Sequence, residues 1–196
     1  QVYEIPEGTR VARGRGLLNF LELSTEEKVL SLVPMKKDEP EKYLVMVTKN
    51  GRIKKTSLEE FDNVRKSGII SIKLEKGDLL KKVVKTTGED DIILTTKNGI
   101  AIRFKEKDIR PMGRGAAGVK GIRLKKGDEV IGMDVINPTP QNLKSKEYLL
   151  VVMENGYGKR TEISQYRIQG RGGAGIKTAK ITSKTGPIVL SSILED

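Results

Sequence analysis

The sequence predicts an all-β, propeller-like array. Three observations predict it: a repeat of about fifty residues, short β-rich runs on either side of Asn-Gly pairs, and no long segment of helical periodicity. Lys49-Asn50-Gly51, Lys97-Asn98-Gly99 and Glu154-Asn155-Gly156 occupy one phase of the repeat. Gly- and Arg-rich loops recur in another fixed phase and close on Gly16-Leu17, Gly68-Ile69, Gly118-Val119 and Gly175-Ile176. Four such loops against three Asn-Gly pairs imply that the chain opens inside a repeat.

The first strand of each repeat is read at Tyr43 to Thr48, Asp91 to Thr96 and Tyr148 to Met153, runs too short for a helix and rich in β-branched or aromatic residues. An Asn-Gly pair tolerates positive φ and predicts a type I′ hairpin turn, from which Arg52 to Thr56, Ile100 to Phe104 and Tyr157 to Thr161 return. After each Gly-rich loop comes an alternating run, Ile70 to Leu74 or Val119 to Leu124, which predicts a strand with one buried and one wet face. Lys76-Gly77-Asp78 and Lys126-Gly127-Asp128 then predict tight turns into strands at Leu80 to Val84 and Val130 to Val135. Each repeat thus supplies about four short antiparallel strands, the content of a propeller blade. Residues 1–196 are read as one repeat domain of about four blades.

Two stretches interrupt the pattern, Met35 to Lys42 and Asn137 to Glu147, where Pro, Lys, Asn and Glu dominate and surface loops are expected. Helix is limited to single turns at Ser57 to Phe61 and Ser24 to Lys28.

Composition narrows the function. The 196 residues carry 37 Lys plus Arg against 26 Asp plus Glu, a net charge of +11 that favours a polyanionic partner. Cysteine and histidine are absent, which removes the common thiolate nucleophile, the common metal ligands and the side chain best suited to proton exchange near neutral pH. Aromatic residues are only 4% and tryptophan is absent, a poor basis for stacking single-stranded bases. No apolar run approaches the roughly 18 residues of a membrane span, and Gln1 opens no signal-peptide pattern, so a cytoplasmic protein is expected.

The charge is segregated within the repeat. No Asp or Glu occurs between Arg10 and Asn19, between Arg110 and Lys125, or between Arg167 and Pro187, whereas acids gather at the other turns, such as Glu89-Asp90-Asp91 and Asp128-Glu129. Equivalent placement of the blades would bring all the Gly-rich loops to one surface, where glycine permits close backbone approach to phosphate and Arg or Lys neutralises it. The candidate contacts to DNA in the first two loops are Arg10, Arg13, Arg15, Arg65 and Lys66. Those of the third are Arg110, Arg114 and Lys120, and those of the fourth are Arg167, Arg171 and Lys177. On the second hairpin strands, Lys55, Arg103, Lys159 and Arg160 either face DNA or solvate an exposed face. Gly14-Arg15-Gly16 and Gly113-Arg114-Gly115 lack the Lys-Ser/Thr of a P-loop, so no nucleotide site is expected. No tyrosine sits in a sequence context that would make it a nucleophile, and no catalytic residue, metal or cofactor is assigned to the chain.

The fourth loop, Gln169-Gly170-Arg171-Gly172-Gly173-Ala174-Gly175, resembles the seven-residue box of the bacterial DNA gyrase A family, which reads Gln, basic, Arg, Gly, Gly, basic, Gly. Gly170 and Ala174 depart from it, so the role of the box is not carried over to this loop. Glu154 to Thr161 and Gly118 to Leu124 are similar to the C-terminal domain of the same family, and the resemblance spans essentially the whole chain. It implies a β-pinwheel whose blades exchange strands with their neighbours and whose basic outer edge bends and wraps double-stranded DNA. It further implies that this chain holds middle blades of that domain and begins beyond the complete box. In the family, negative supercoiling uses ATP and Mg bound elsewhere. The partners so implied are the N-terminal catalytic region of gyrase A and gyrase B, in a bacterial, nucleoid-associated enzyme. The corresponding domain of topoisomerase IV and a protein-interaction propeller are the competing expectations.

Overall fold

The computed structural model describes residues 6–16, 19–22, 24, 27–35, 40–62, 68–138 and 146–195. Among them lie eleven strands and no α-helix: β1 (Tyr43–Thr48), β2 (Arg52–Ser57), β3 (Leu80–Thr86), β4 (Asp91–Thr96), β5 (Ile100–Lys105), β6 (Val119–Lys120), β7 (Val130–Ile136), β8 (Glu147–Met153), β9 (Gly158–Glu162), β10 (Ile176–Lys177) and β11 (Ile188–Glu195). Short 3-10 turns follow the second hairpin strands at Leu58–Phe61, Glu106–Asp108 and Ile163–Gln165. No helix among the described residues is long and apolar enough to cross a membrane.

The strands form three sheets, in the orders β3-β1-β2-β6, β10-β5-β4-β7 and β11-β8-β9. Every pairing between these strands is antiparallel. The two-residue strand β6 follows the second hairpin yet pairs with β2 of the first, through Ile53 with Val119 and Arg52 with Lys120. In the same way β10, which follows the third hairpin, pairs with β5 of the second. Each of these blades is therefore completed by a strand from the next repeat.

Sequence patterning suggests about four blades, and three sheets are formed among the described residues. The first Gly-rich loop precedes β1 and belongs to no sheet among the described residues. The strand expected at Ile70 to Leu74 is also not formed; Ile70 and Leu74 are exposed. Its counterparts β6 and β10 exist because a preceding hairpin offers them an open edge, and no hairpin precedes β1 among the described residues. The single turn expected near Ser57 is present, whereas Ser24, Glu27 and Lys28 lie outside any helix.

The hairpin turns differ from the type I′ expectation. The N–H groups of Gly51, Gly99 and Gly156 donate to the carbonyls of Thr48, Thr96 and Met153, so each turn centres on the two residues before the glycine. Glycine then occupies the left-handed position of a three-residue loop, at φ 80°, 86° and 82°. The Gly-Asp turns have a second task. Asp78 Oδ1 accepts from the N–H groups of Asn50 and Leu79, and Asp128 Oδ1 does the same for Asn98 and Glu129, so each aspartate ties its turn to the hairpin tip.

The middle blade explains the core. Every residue of β4 is buried, Ile92 and Leu94 facing Val45, Val47 and Ile53 of the first blade, Ile93 facing Leu149 and Val151 of the third. Period-two side-chain geometry thus feeds two cores from one strand, each closed by a neighbouring blade. At one edge of the sheets β3 packs on β7 and β7 on β11, with Lys82 Nζ 2.8 Å from Asp134 Oδ1 and Ser191 Oγ donating to Asp134. The opposite edges belong to β6 and β10 in the first two sheets and to β9 in the third.

Candidate nucleic-acid interface

Because β3, β7 and β11 meet at one edge, the Gly-rich loops that lead into β6 and β10 share the opposite rim. Each loop is laid along the preceding blade. Pro111 bridges Lys55 in parallel, Met112 N donates to Lys55 O, and one repeat later Ile168 bridges Arg103 while Gln169 N donates to Arg103 O. Gly118 and Gly175, at φ 79° and 71°, then carry the backbone against the strand below. A Cβ there would stand 2.5 Å from Ile53 O or 2.6 Å from Ala101 O. These two glycines serve blade-to-blade packing, a different use from the phosphate approach expected of them.

Consecutive loops also touch each other. Lys73 N donates to Ala116 O, Gly172 N donates to Gly121 O, and Arg123 N donates to Gly173 O. The segment after loop two is thereby joined to loop three, and the segment after loop three to loop four, as a hydrogen-bonded ribbon along the rim. Arg110, Lys120, Arg167 and Lys177 are exposed on or beside it. Arg114 is partly exposed, with Glu60 3.8 Å from its Nε. Arg171 is held more firmly: its Nε donates to Asp108 O and its Nη1 to Lys120 O, so this guanidinium also ties its loop to the middle blade. Arg10, Arg13 and Arg15 are exposed on the first loop. Arg65 and Lys66 lie outside the described residues.

The strand cations need correction. Lys55 is buried, its ammonium 3.3 Å from Glu106 Oε1 and 4.9 Å from the centre of the Tyr43 ring. Arg103 is largely buried, its Nη2 2.7 Å from Asp91 Oδ2 and its Nη1 donating to Ile163 O. Both side chains reach the 3-10 turn of the following blade, so neither is an outward contact nor a solvated charge. Glu106 is the receiving hub for Lys55: its carboxylate also accepts from Thr86 Oγ1 and from the N–H groups of Gly88 and Asp90. At the same position of the third blade, Arg160 is exposed and stacks over Tyr148 at 4.3 Å. Lys159 is exposed and donates to Thr178 O.

Two residues that hold the third loop were missed. The guanidinium of Arg52 donates to Ala117 O and Gly118 O and pairs with Glu75 at 3.2 Å. Lys54 is completely buried and donates to Ser71 O and Arg114 O, pinning loop three to the segment after loop two. Burial pushes its ammonium down to about 8, with Glu60 opposing the shift and Arg114 adding to it. Arg52, Lys54 and Thr56 share one face of β2 by their alternation, the signal that could have found them. Away from the loops, a hydrogen bond from Lys49 holds the Glu129 carboxyl below the usual carboxylate range, against a smaller effect of burial and helped by the charges of Lys49, Lys97 and Lys81.

The family model of the DNA gyrase C-terminal domain, a beta-propeller, matches residues 42–87, 90–137 and 147–189. The chain is 46% identical over 188 residues to the DNA gyrase A protein of Staphylococcus epidermidis, covering 95% of this chain and 20% of that protein. It is 40% identical over 198 residues to the DNA gyrase A protein of Mycolicibacterium smegmatis, covering 100% of this chain and 23% of that one. The chain thus spans about a fifth of the length of these relatives. Among solved structures, the C-terminal domain of DNA topoisomerase IV superposes with a TM-score of 0.86 at 26% identity, over 98% of this chain and 58% of that one. The DNA gyrase A C-terminal domain gives 0.80 at 29% identity, over 98% and 60%. The three matched segments coincide with the three hairpin repeats, and the chain belongs to the DNA gyrase C-terminal domain family.

Proposed function

We propose that this chain binds, bends and wraps double-stranded DNA along its rim of Gly-rich basic loops, as part of the non-catalytic C-terminal domain of a DNA gyrase A protein. The observation that carries this reading is the set of backbone hydrogen bonds by which the segment after loop two joins loop three, and the segment after loop three joins loop four, beside exposed Arg and Lys. A row of cations offers a duplex many weak phosphate contacts in succession. Bending a 20–30 base-pair site by 40–90° costs roughly 1–6 kcal/mol, which such contacts offset. They read the backbone and deformability of the duplex rather than base identity. Strand cleavage and ATP hydrolysis belong to the N-terminal region of gyrase A and to gyrase B, the partners through which wrapping becomes negative supercoiling in the bacterial cytoplasm. A second reading, the same domain of a topoisomerase IV, is favoured by the TM-score of 0.86, whereas both named sequence relatives are gyrase proteins. A complete basic box in the parent chain separates the two.

Charge reversal tests the Gly-rich loops. Replacing Arg13, Arg15 and Arg114 together by Glu is expected to weaken duplex binding far more than replacing Lys76 and Lys126, which lie at the Gly-Asp turns. Equal losses, measured by fluorescence anisotropy at matched salt, would refute loop-specific docking. Arg171 is left intact because its carbonyl contacts support the fold.

A further inference from the structure

Between the first and second blades, where loop three begins, lies a cleft of about 500 Å³ whose walls include Lys42, Tyr43, Lys55, Lys107 and Arg110, with Glu89 as the one carboxylate on the wall. We infer that this cleft is a seat for a phosphate group, held by Lys42, Lys107 and Arg110. The charges within it are unevenly matched. Lys55 is balanced beneath the floor by the buried Glu106, and this pair fixes one side of the cleft. Lys107 pairs with Glu89 at 2.6 Å, but both side chains are about two-thirds exposed, so a competing anion displaces Glu89 at little cost. Lys42 and Arg110 are exposed, and no carboxylate among the described residues lies within ion-pair distance of either. The cleft therefore has a surplus of positive charge on exposed ammonium and guanidinium groups, beside the buried Lys55–Glu106 pair.

The molecule contains its own comparison. The bridges of Lys55 to Pro111 and of Arg103 to Ile168 align the two blade junctions. On that alignment Lys42 corresponds to Asp90, Tyr43 to Asp91, Lys107 to Ser164 and Arg110 to Arg167. At the second junction Arg103 is neutralised by Asp91, and two of the three seat cations are replaced. Ordinary blade packing thus does without the cluster, and the first junction carries cations that packing does not require. Pro111 and Met112 link the cleft directly to loop three, so a phosphodiester of the wrapped duplex reaches it as the track crosses the blade boundary. A free phosphate has the same chemistry.

That assignment of the ligand rests on the DNA-wrapping proposal, and the test separates the two. The whole chain is titrated with inorganic phosphate while the amide resonances of Gly88, Lys107 and Arg110 are followed by NMR, and separately with a short duplex across a salt series. Phosphate is expected to shift those amides in the wild type, less so after Lys42→Gln with Arg110→Gln, and to bind more tightly after Glu89→Gln. For the duplex, each removed cation is expected to reduce the magnitude of the log-affinity slope against log salt by about 1. Phosphate shifts with an unchanged duplex slope would overturn the duplex as the source and leave free phosphate as the ligand. Unmoved amides together with an unchanged slope would overturn the seat. If wild-type chain fails to bind duplex at all, the wrapping proposal falls, and the phosphate titration still decides the seat. All the substituted side chains are exposed, so the variants are expected to fold.

Discussion

Lys54 and Lys55 are adjacent on β2 and point to opposite faces, and their surroundings give them different chemistry. Lys55 finds a buried carboxylate in Glu106, whereas Lys54 hydrogen-bonds to the carbonyls of Ser71 and Arg114 and feels Glu60 only as a weaker, opposing charge. Burial disfavours the Lys54 ammonium by more than Glu60 restores, and its pKa falls to about 8 from 10.5. Between those two values the unfolded chain keeps a proton that the folded chain has released, so the contribution of Lys54 to stability rises with pH across that window. Replacing Lys54 by Met removes this dependence. Urea denaturation of both proteins near pH 7 and near pH 10 is expected to show the wild type gaining stability relative to the variant at the higher pH. A constant difference would mean that the ammonium is not desolvated.

At the level of the element, the decisive pieces are the two-residue strands β6 and β10. Neither is long enough to be stable by itself, and each is formed because a glycine with positive φ lets the loop end lie against the backbone of the preceding blade. Gly118→Ala and Gly175→Ala combine a strained left-handed residue with a Cβ inside contact distance of a carbonyl, and each is expected to cost about 1–3 kcal/mol in chemical denaturation. Gly113→Ala and Gly115→Ala meet nothing within 4 Å and have no positive φ. Their cost is expected to stay within about 0.5 kcal/mol, as for ordinary surface changes. Similar losses at all four positions would contradict the docking role of the loop ends.

Across the whole molecule, meeting edges at β3, β7 and β11 make the opposite edges a rim, and this geometry turns a periodic sequence into a directional surface. Stacked repeats place like charges in a row, and a stiff polyanion laid along that row is curved by it. Relaxed plasmid closed by ligase in the presence of the chain is therefore expected to retain writhe after the protein is removed. A topoisomer distribution identical to the protein-free control would show that this chain binds without wrapping.

Strand alternation, turn chemistry and charge spacing are local properties, so the order of residues was enough to locate the three hairpins, the Gly-rich loops and the phase of the charge. Which cations remain available to a partner was settled by packing. Lys55 and Arg103 have the composition of surface residues, yet they are buried at blade junctions because Glu106 and the carbonyl of Ile163 come from the 3-10 turn of the following blade, while Asp91 meets Arg103 across its own hairpin. The same is true of Lys54 and of the cleft at Lys42, Lys107 and Arg110, whose parts meet only when neighbouring repeats pack. Local sequence encodes how a strand pairs across its own turn; the electrostatic fate of a side chain depends on the partners and solvent that a distant segment brings or removes.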